Sequence, residues 1–76
     1  MYSKKTKRCV QHKICMALVN NDRRAGSVIT NALVTDLKRM AAVVADKIEA
    51  EYCSKNGAGG IWLSRLIEDN SIMDYV

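Results

Sequence analysis

Cys9, His12 and Cys15 stand three residues apart in turn, and Cys53 lies far downstream. Thiolates and imidazoles are the usual zinc ligands, so four such groups could in principle hold one ion. Helical geometry argues against it, because Cys9 and Cys15 would point about 240° apart around a helix. Cys9 and His12 could meet, but that pair leaves two ligands unsupplied. A cysteine nucleophile needs a histidine and an orienting acid beside it, and the only histidine has no acid placed to orient it. Residues 56–60, Asn-Gly-Ala-Gly-Gly, lack the lysine and hydroxyl that a phosphate-cradling loop supplies after a strand. They read as a hinge. No catalytic residue, metal site or cofactor is assigned, and the chain is not expected to be an enzyme.

Charge offers a different chemistry. Residues 1–24 carry Lys4, Lys5, Lys7, Arg8, Lys13, Arg23 and Arg24 against Asp22 alone, whereas residues 25–76 carry five basic and seven acidic side chains. A basic run can track phosphates, with affinity that falls steeply as salt rises. It can equally steer an acidic protein. These seven cations are the candidate partner or phosphate contacts. Tyr2 beside them could stack on a base.

The elements that must position these residues are helical. Ile29, Leu33, Leu37, Met40, Ala41, Val44 and Ile48 recur at spacings of mostly three and four, the helical period. They predict one long central amphipathic helix from about Ser27 to Ser54, with Ser27 as N-cap and Asp22 as the competing cap. Asn56 and Gly57, which tolerate the left-handed conformation, predict its end. Glu51 would sit at the centre of the apolar stripe, so burial should stop just before it. On the far side, Ala32, Asp36, Arg39, Val43, Asp46 and Ala50 form a second seam of small and charged residues suited to a partly dry helix contact.

Around this helix the chain reads as follows. Residues 1–8 are a basic flexible N-terminal arm, and 9–76 are a single small domain. Residues 9–20 form a first helix with Val10, Ile14, Ala17 and Leu18 on one face, ended by Asn20 and Asn21. Residues 61–69 form a short helix in which Trp62 and Leu66 close one end of the core. Residues 71–76 either make one more docked turn or lie extended. With no proline, four glycines and no phenylalanine, a turn-rich β-architecture is disfavoured. The fold class is all-α: a compact three- to four-helix domain, expected to be dimeric.

A chain of 76 residues buries only about 60% of its unfolded surface, so association would help it. The candidate interface is Ala32, Arg39, Val43, Ala50, Trp62, Arg65 and Tyr75. No apolar run is long enough for a signal peptide or a membrane span. The odd count of three cysteines suggests free thiols and a cytoplasmic location. The expected function is a small regulatory or inhibitory protein that binds another protein, likewise a homodimer, acting sterically and steered by its cations. The alternatives are a nucleic-acid-binding or transcription-regulatory accessory protein using the basic N-terminal patch, and a structural homodimer subunit. A helix-turn-helix reader is disfavoured, because the exposed start of the second helix would be Val28, Thr35 and Asp36, which suit a major groove poorly.

Overall fold

Ser3 and Thr30 decide where the two long helices begin. In the computed structural model, which describes residues 1–76, the Ser3 hydroxyl accepts the Thr6 amide at 3.1 Å and caps α1, Lys4–Arg24. The Thr30 hydroxyl accepts the Leu33 amide at 3.1 Å and caps α2, Asn31–Ser54. Each satisfies one of the amides that a helix start leaves without a partner. Two shorter elements follow: α3, Gly59–Glu68, and a 3₁₀ turn, Ser71–Tyr75. The protein is all-helical, with three α-helices.

Both boundaries of α1 differ from expectation. Lys4 to Arg8, read as part of a flexible arm, form its first turn, because Ser3 supplies a cap the apolar pattern does not register. Asn20 and Asn21 do not end it; the helix continues through Arg24, where Arg23 and Arg24 in the last turn favour its negative end. It stops at Gly26, whose φ of +87° a side-chain-bearing residue resists. There Gly26 N–H bonds to the Arg23 carbonyl and Ser27 N–H to the Asp22 carbonyl, the paired closure of a Schellman end. Asp22 and Ser27 are thereby spent ending α1, and neither caps α2. The exit of α2 is as expected, with Asn56 at φ 48° and Gly57 at φ 90°.

α2 runs antiparallel to α1. Tyr2 sits beside Ala45 and Glu49, Lys7 reaches Asp46, and Arg8, Gln11, His12 and Cys15 share a cleft with Lys38. The core between them holds Val10, Ile14, Cys15, Leu18 and Val19 of α1 with Leu37, Ala41, Val44, Ala45 and Ile48 of α2. Leu63 of α3 and Ile72 of the 3₁₀ turn complete it, so the C-terminal residues dock. Glu51 is exposed, and Tyr52 just past it is half-buried. Trp62 and Leu66 are half-buried against the core as expected, but Leu63 is the fully buried anchor. Ala45 lies outside the predicted stripe and is nonetheless buried, because α1 crosses there and a methyl allows close approach.

One end of the hairpin is tied with particular care. Tyr2 N–H donates to Glu49 at 2.8 Å, and its hydroxyl donates to the Ala45 carbonyl at 3.1 Å. Its ring meets Tyr52 edge to face, with centroids 5.2 Å apart. α3 begins against the other side of Tyr52. A Cβ built on Gly59 would lie 2.6 Å from the Tyr52 carbonyl oxygen and 3.0 Å from its ring. The molecule measures 38 × 24 × 15 Å, too thin for either long helix to be covered all round.

Candidate functional site

The seven predicted cations all fall on α1 or at its start, but they do not form one patch. Lys7 turns aside to Asp46, with Nζ 2.9 Å from the carboxylate, and this hydrogen bond raises its pKa. Arg24 lines a small cleft with Ala17, Asn21 and Ile67 on the α3 side. Lys13 is exposed, and at 3.6 residues per turn it points about 140° from Arg8. Lys5, Arg8 and Arg23 share one flank of the helix, on the side of Lys38, and Lys4 stands at its edge. Arg8 joins Gln11, His12 and Cys15 of α1 and Lys38 of α2 around a cleft of about 230 Å³. Lys38 was not among the predicted contacts, since its approach to Arg8 depends on how two helices cross.

The thiols and the imidazole do not gather. Cys15 is buried beside the cleft that His12 lines, Cys9 is exposed, and Cys53 borders a separate cleft with Tyr2, Ser3 and Thr6. Tyr2 is held by its two hydrogen bonds and is not free to stack on a base. Burial, and then the nearby Cys53 and Glu49, carry its phenol pKa well above the ordinary value. At the other end of the chain, the Ser71 amide donates to Asp69 at 2.9 Å, and hydrogen bonding by Ser71 lowers that carboxyl's pKa.

The predicted interface residues divide likewise. Arg39, Val43 and Tyr75 come together with Met40, Val44, Lys47 and Val76 around an apolar groove of about 260 Å³ between α2 and the C-terminal turn. Lys47 Nζ donates to the Tyr75 carbonyl at 3.0 Å and holds the turn in place. Trp62 is elsewhere, half-buried, with Lys55 Nζ 5.4 Å from its ring centroid. Arg65 is exposed on α3 and does not line the groove. Asp46, which the predicted seam included, is engaged by Lys7.

The line that faces outward on α2 is therefore Ala32, Asp36, Met40, Val43, Lys47 and Ala50, with Arg39 along its edge. All are exposed, and helical geometry places them within about 80° of arc. Met40 had been assigned to the core stripe, yet it is 37% exposed; Val43 is 54% and Val76 47% exposed. Sequence periodicity places Met40 at the stripe's edge and cannot say how far the neighbouring turn extends over it. Asp36 makes only a long contact with Arg39, 3.7 Å, and both side chains are largely in water.

No family model, no curated protein and no solved structure matches the chain. No helix is long and apolar enough to cross a membrane.

Proposed function

We propose that this chain is a small, non-catalytic regulatory or inhibitory protein of the cytoplasm that acts by binding protein, and that the outer line of α2 is the surface it uses. The first occupant of that surface is a second copy of the chain. The order of chemistry along the line carries the proposal: small, acidic, apolar, apolar, basic, small, at Ala32, Asp36, Met40, Val43, Lys47 and Ala50. A two-fold axis perpendicular to a helix brings the same surface of two copies together in opposite directions. Laid antiparallel on itself, the line sets Met40 against Val43 of the other copy, Asp36 against its Lys47, and Ala32 against its Ala50. Each pairing occurs twice, so Asp36 and Lys47 each meet their opposite and the apolar centre is covered. Lys47 has three donors and spends one on Tyr75, which leaves two for a facing carboxylate.

Small residues at both ends suit close helix approach. The free thiols fit a reducing compartment. A contact of one helix plus the edge of a turn falls at the small end of specific interfaces, so a weak, concentration-dependent dimer is expected. Regulation would be steric: a rigid helical surface displaces another protein from the same contact.

Charge reversal tests this. Asp36→Lys alone and Lys47→Asp alone each set like charges face to face and should abolish dimers in sedimentation equilibrium, and the double variant should restore them. A wild-type chain that stays monomeric at every attainable concentration would overturn self-pairing. Lys47→Ala measures what loss of the Tyr75 contact costs by itself; a double variant that dimerises no better than Asp36→Lys, where Lys47→Ala still dimerises, would overturn the antiparallel register.

A further inference from the structure

We propose that the outer ridge of α1, together with Lys38, is a binding surface for the sugar-phosphate backbone of duplex nucleic acid. It uses a face other than the α2 line and stands independently of it: Ala45, which faces α1, and Val43 are two positions apart, about 200° around the helix. Lys5, Arg8 and His12 fall within about 60° of arc and are exposed; exposed Arg23 returns to the same arc three turns on, past the buried Val19. Lys5 to His12 span roughly 10 Å along the helix and Arg23 stands about 27 Å from Lys5, at 1.5 Å per residue. Lys38 adds a fifth positive or imidazole group across the cleft from Arg8 and His12, and Gln11 between them offers an amide donor.

What is missing from the ridge matters as much. Its cleft has no carboxylate in its lining. The only acid on α1 is Asp22, half-buried at the far end. Of the carboxylates facing α1 from α2, Asp46 is taken by Lys7 and Glu49 accepts the Tyr2 amide. Lys5, Arg8, Arg23 and Lys38 make no ion pair. Lys4 and Arg8 stand at i and i+4, a like-charge spacing that destabilises an isolated helix. The protein fixes these cations on two rigid helices and supplies nothing to neutralise them. A polyanion of matching length would.

Two features favour duplex over the other polyanions. Surfaces for single strands stack bases on aromatic rings, and every aromatic ring here lies off the ridge. Tyr2 and Tyr52 pair at the end of the hairpin, Trp62 is on α3 beneath Lys55, and Tyr75 lines the α2 groove. An acidic protein segment that folds onto a surface also brings apolar side chains, and the ridge offers only Met16 as an exposed large apolar contact. A backbone of regularly spaced phosphates asks for cations and donors alone.

The test is fluorescence anisotropy with a labelled mixed-sequence duplex across a salt series. Four or five phosphate contacts predict that log K falls against log salt with a slope of about −4. The variant Arg8→Glu/Lys38→Glu should lose at least tenfold in affinity and about two units of that slope. Lys55→Glu/Arg65→Glu changes net charge equally, away from the ridge, and should lose no more than about threefold, the part that general charge contributes. Far-UV circular dichroism of both variants keeps misfolding separate from loss of contact.

Three results would overturn the assignment: no binding at low salt, equal losses in the two variants, or equal competition by polyglutamate. Tighter binding of the single strand than of its duplex would overturn the choice of duplex. Val43→Glu, run in parallel, should retain the salt slope per chain, so failure of the α2 dimer would not be mistaken for failure here.

Discussion

α1 and α2 each bury one side in the shared core and turn the other to water, but the two outer sides are composed differently. On α1 the exposed charges are of one sign, with the single acid at the far end. On α2 the exposed line carries one acid and one base placed symmetrically about Met40 and Val43. A face of one sign cannot pair with its own copy, because every contact would repeat the repulsion; it needs a partner of opposite charge. A face whose charges change sign about an apolar centre is complementary to itself when turned around. Arrangement separates the two faces more than composition does. The net charge of +4 describes neither.

The most severe way to break this comparison is to remove the core both faces stand on. Ile14 and Ile48 are fully buried on opposite helices, and either one changed to Ala should cost about 2–5 kcal/mol. In a domain this small that is a large share of the total, and urea denaturation should show it. Both faces should fail together. Val43→Glu breaks one face only. It should weaken self-association by about a hundredfold in sedimentation, since each contact places a carboxylate against Met40, while the monomer's unfolding free energy in urea stays within about 0.5 kcal/mol because the site is exposed.

Tyr2→Phe sharpens the comparison, since it touches neither outer face. Losing the hydrogen bond to the Ala45 carbonyl should cost about 1 kcal/mol near neutral pH. Its second effect depends on pH. The phenol pKa is raised in the folded chain, so its contribution is complete below the unfolded value of about 10. It is lost as pH rises beyond that, because ionised Tyr2 does not fit its seat. Melting temperatures from pH 8 upward should therefore fall more steeply in the wild type than in Tyr2→Phe. Parallel curves would mean that burial of Tyr2 is not what limits alkaline stability.

Much of the fold is legible in local pattern. The α2 stripe, the Asn56–Gly57 stop and the apolar face of α1 follow from spacing and from residues that tolerate positive φ. The helix starts do not, because Asp22, Ser27 and Thr30 are all competent caps. Which one acts depends on where α1 ends, and Gly26 decides that. Ala45 reads as filler until α1 lies across it. The candidate sites show the same divide. Arg39, Val43 and Tyr75 are recognisable as surplus surface, yet nothing local says that the C-terminal turn brings Tyr75 to the α2 groove. Arg8 and Lys38 are separated by a whole helical hairpin, so only their meeting identifies the cleft.

Gly59 carries a consequence for how this sequence can vary. With the Tyr52 carbonyl oxygen 2.6 Å from where any Cβ would go, every missense change at that codon forces its first side-chain carbon against backbone. A flexible side chain could swing away from such a clash, but a carbonyl inside α2 cannot. Gly57, two positions earlier, has open space around it and is constrained by its φ alone. In a saturation library the two glycines would therefore be depleted to different extents: position 57 would retain asparagine alongside glycine, and position 59 would admit no alternative.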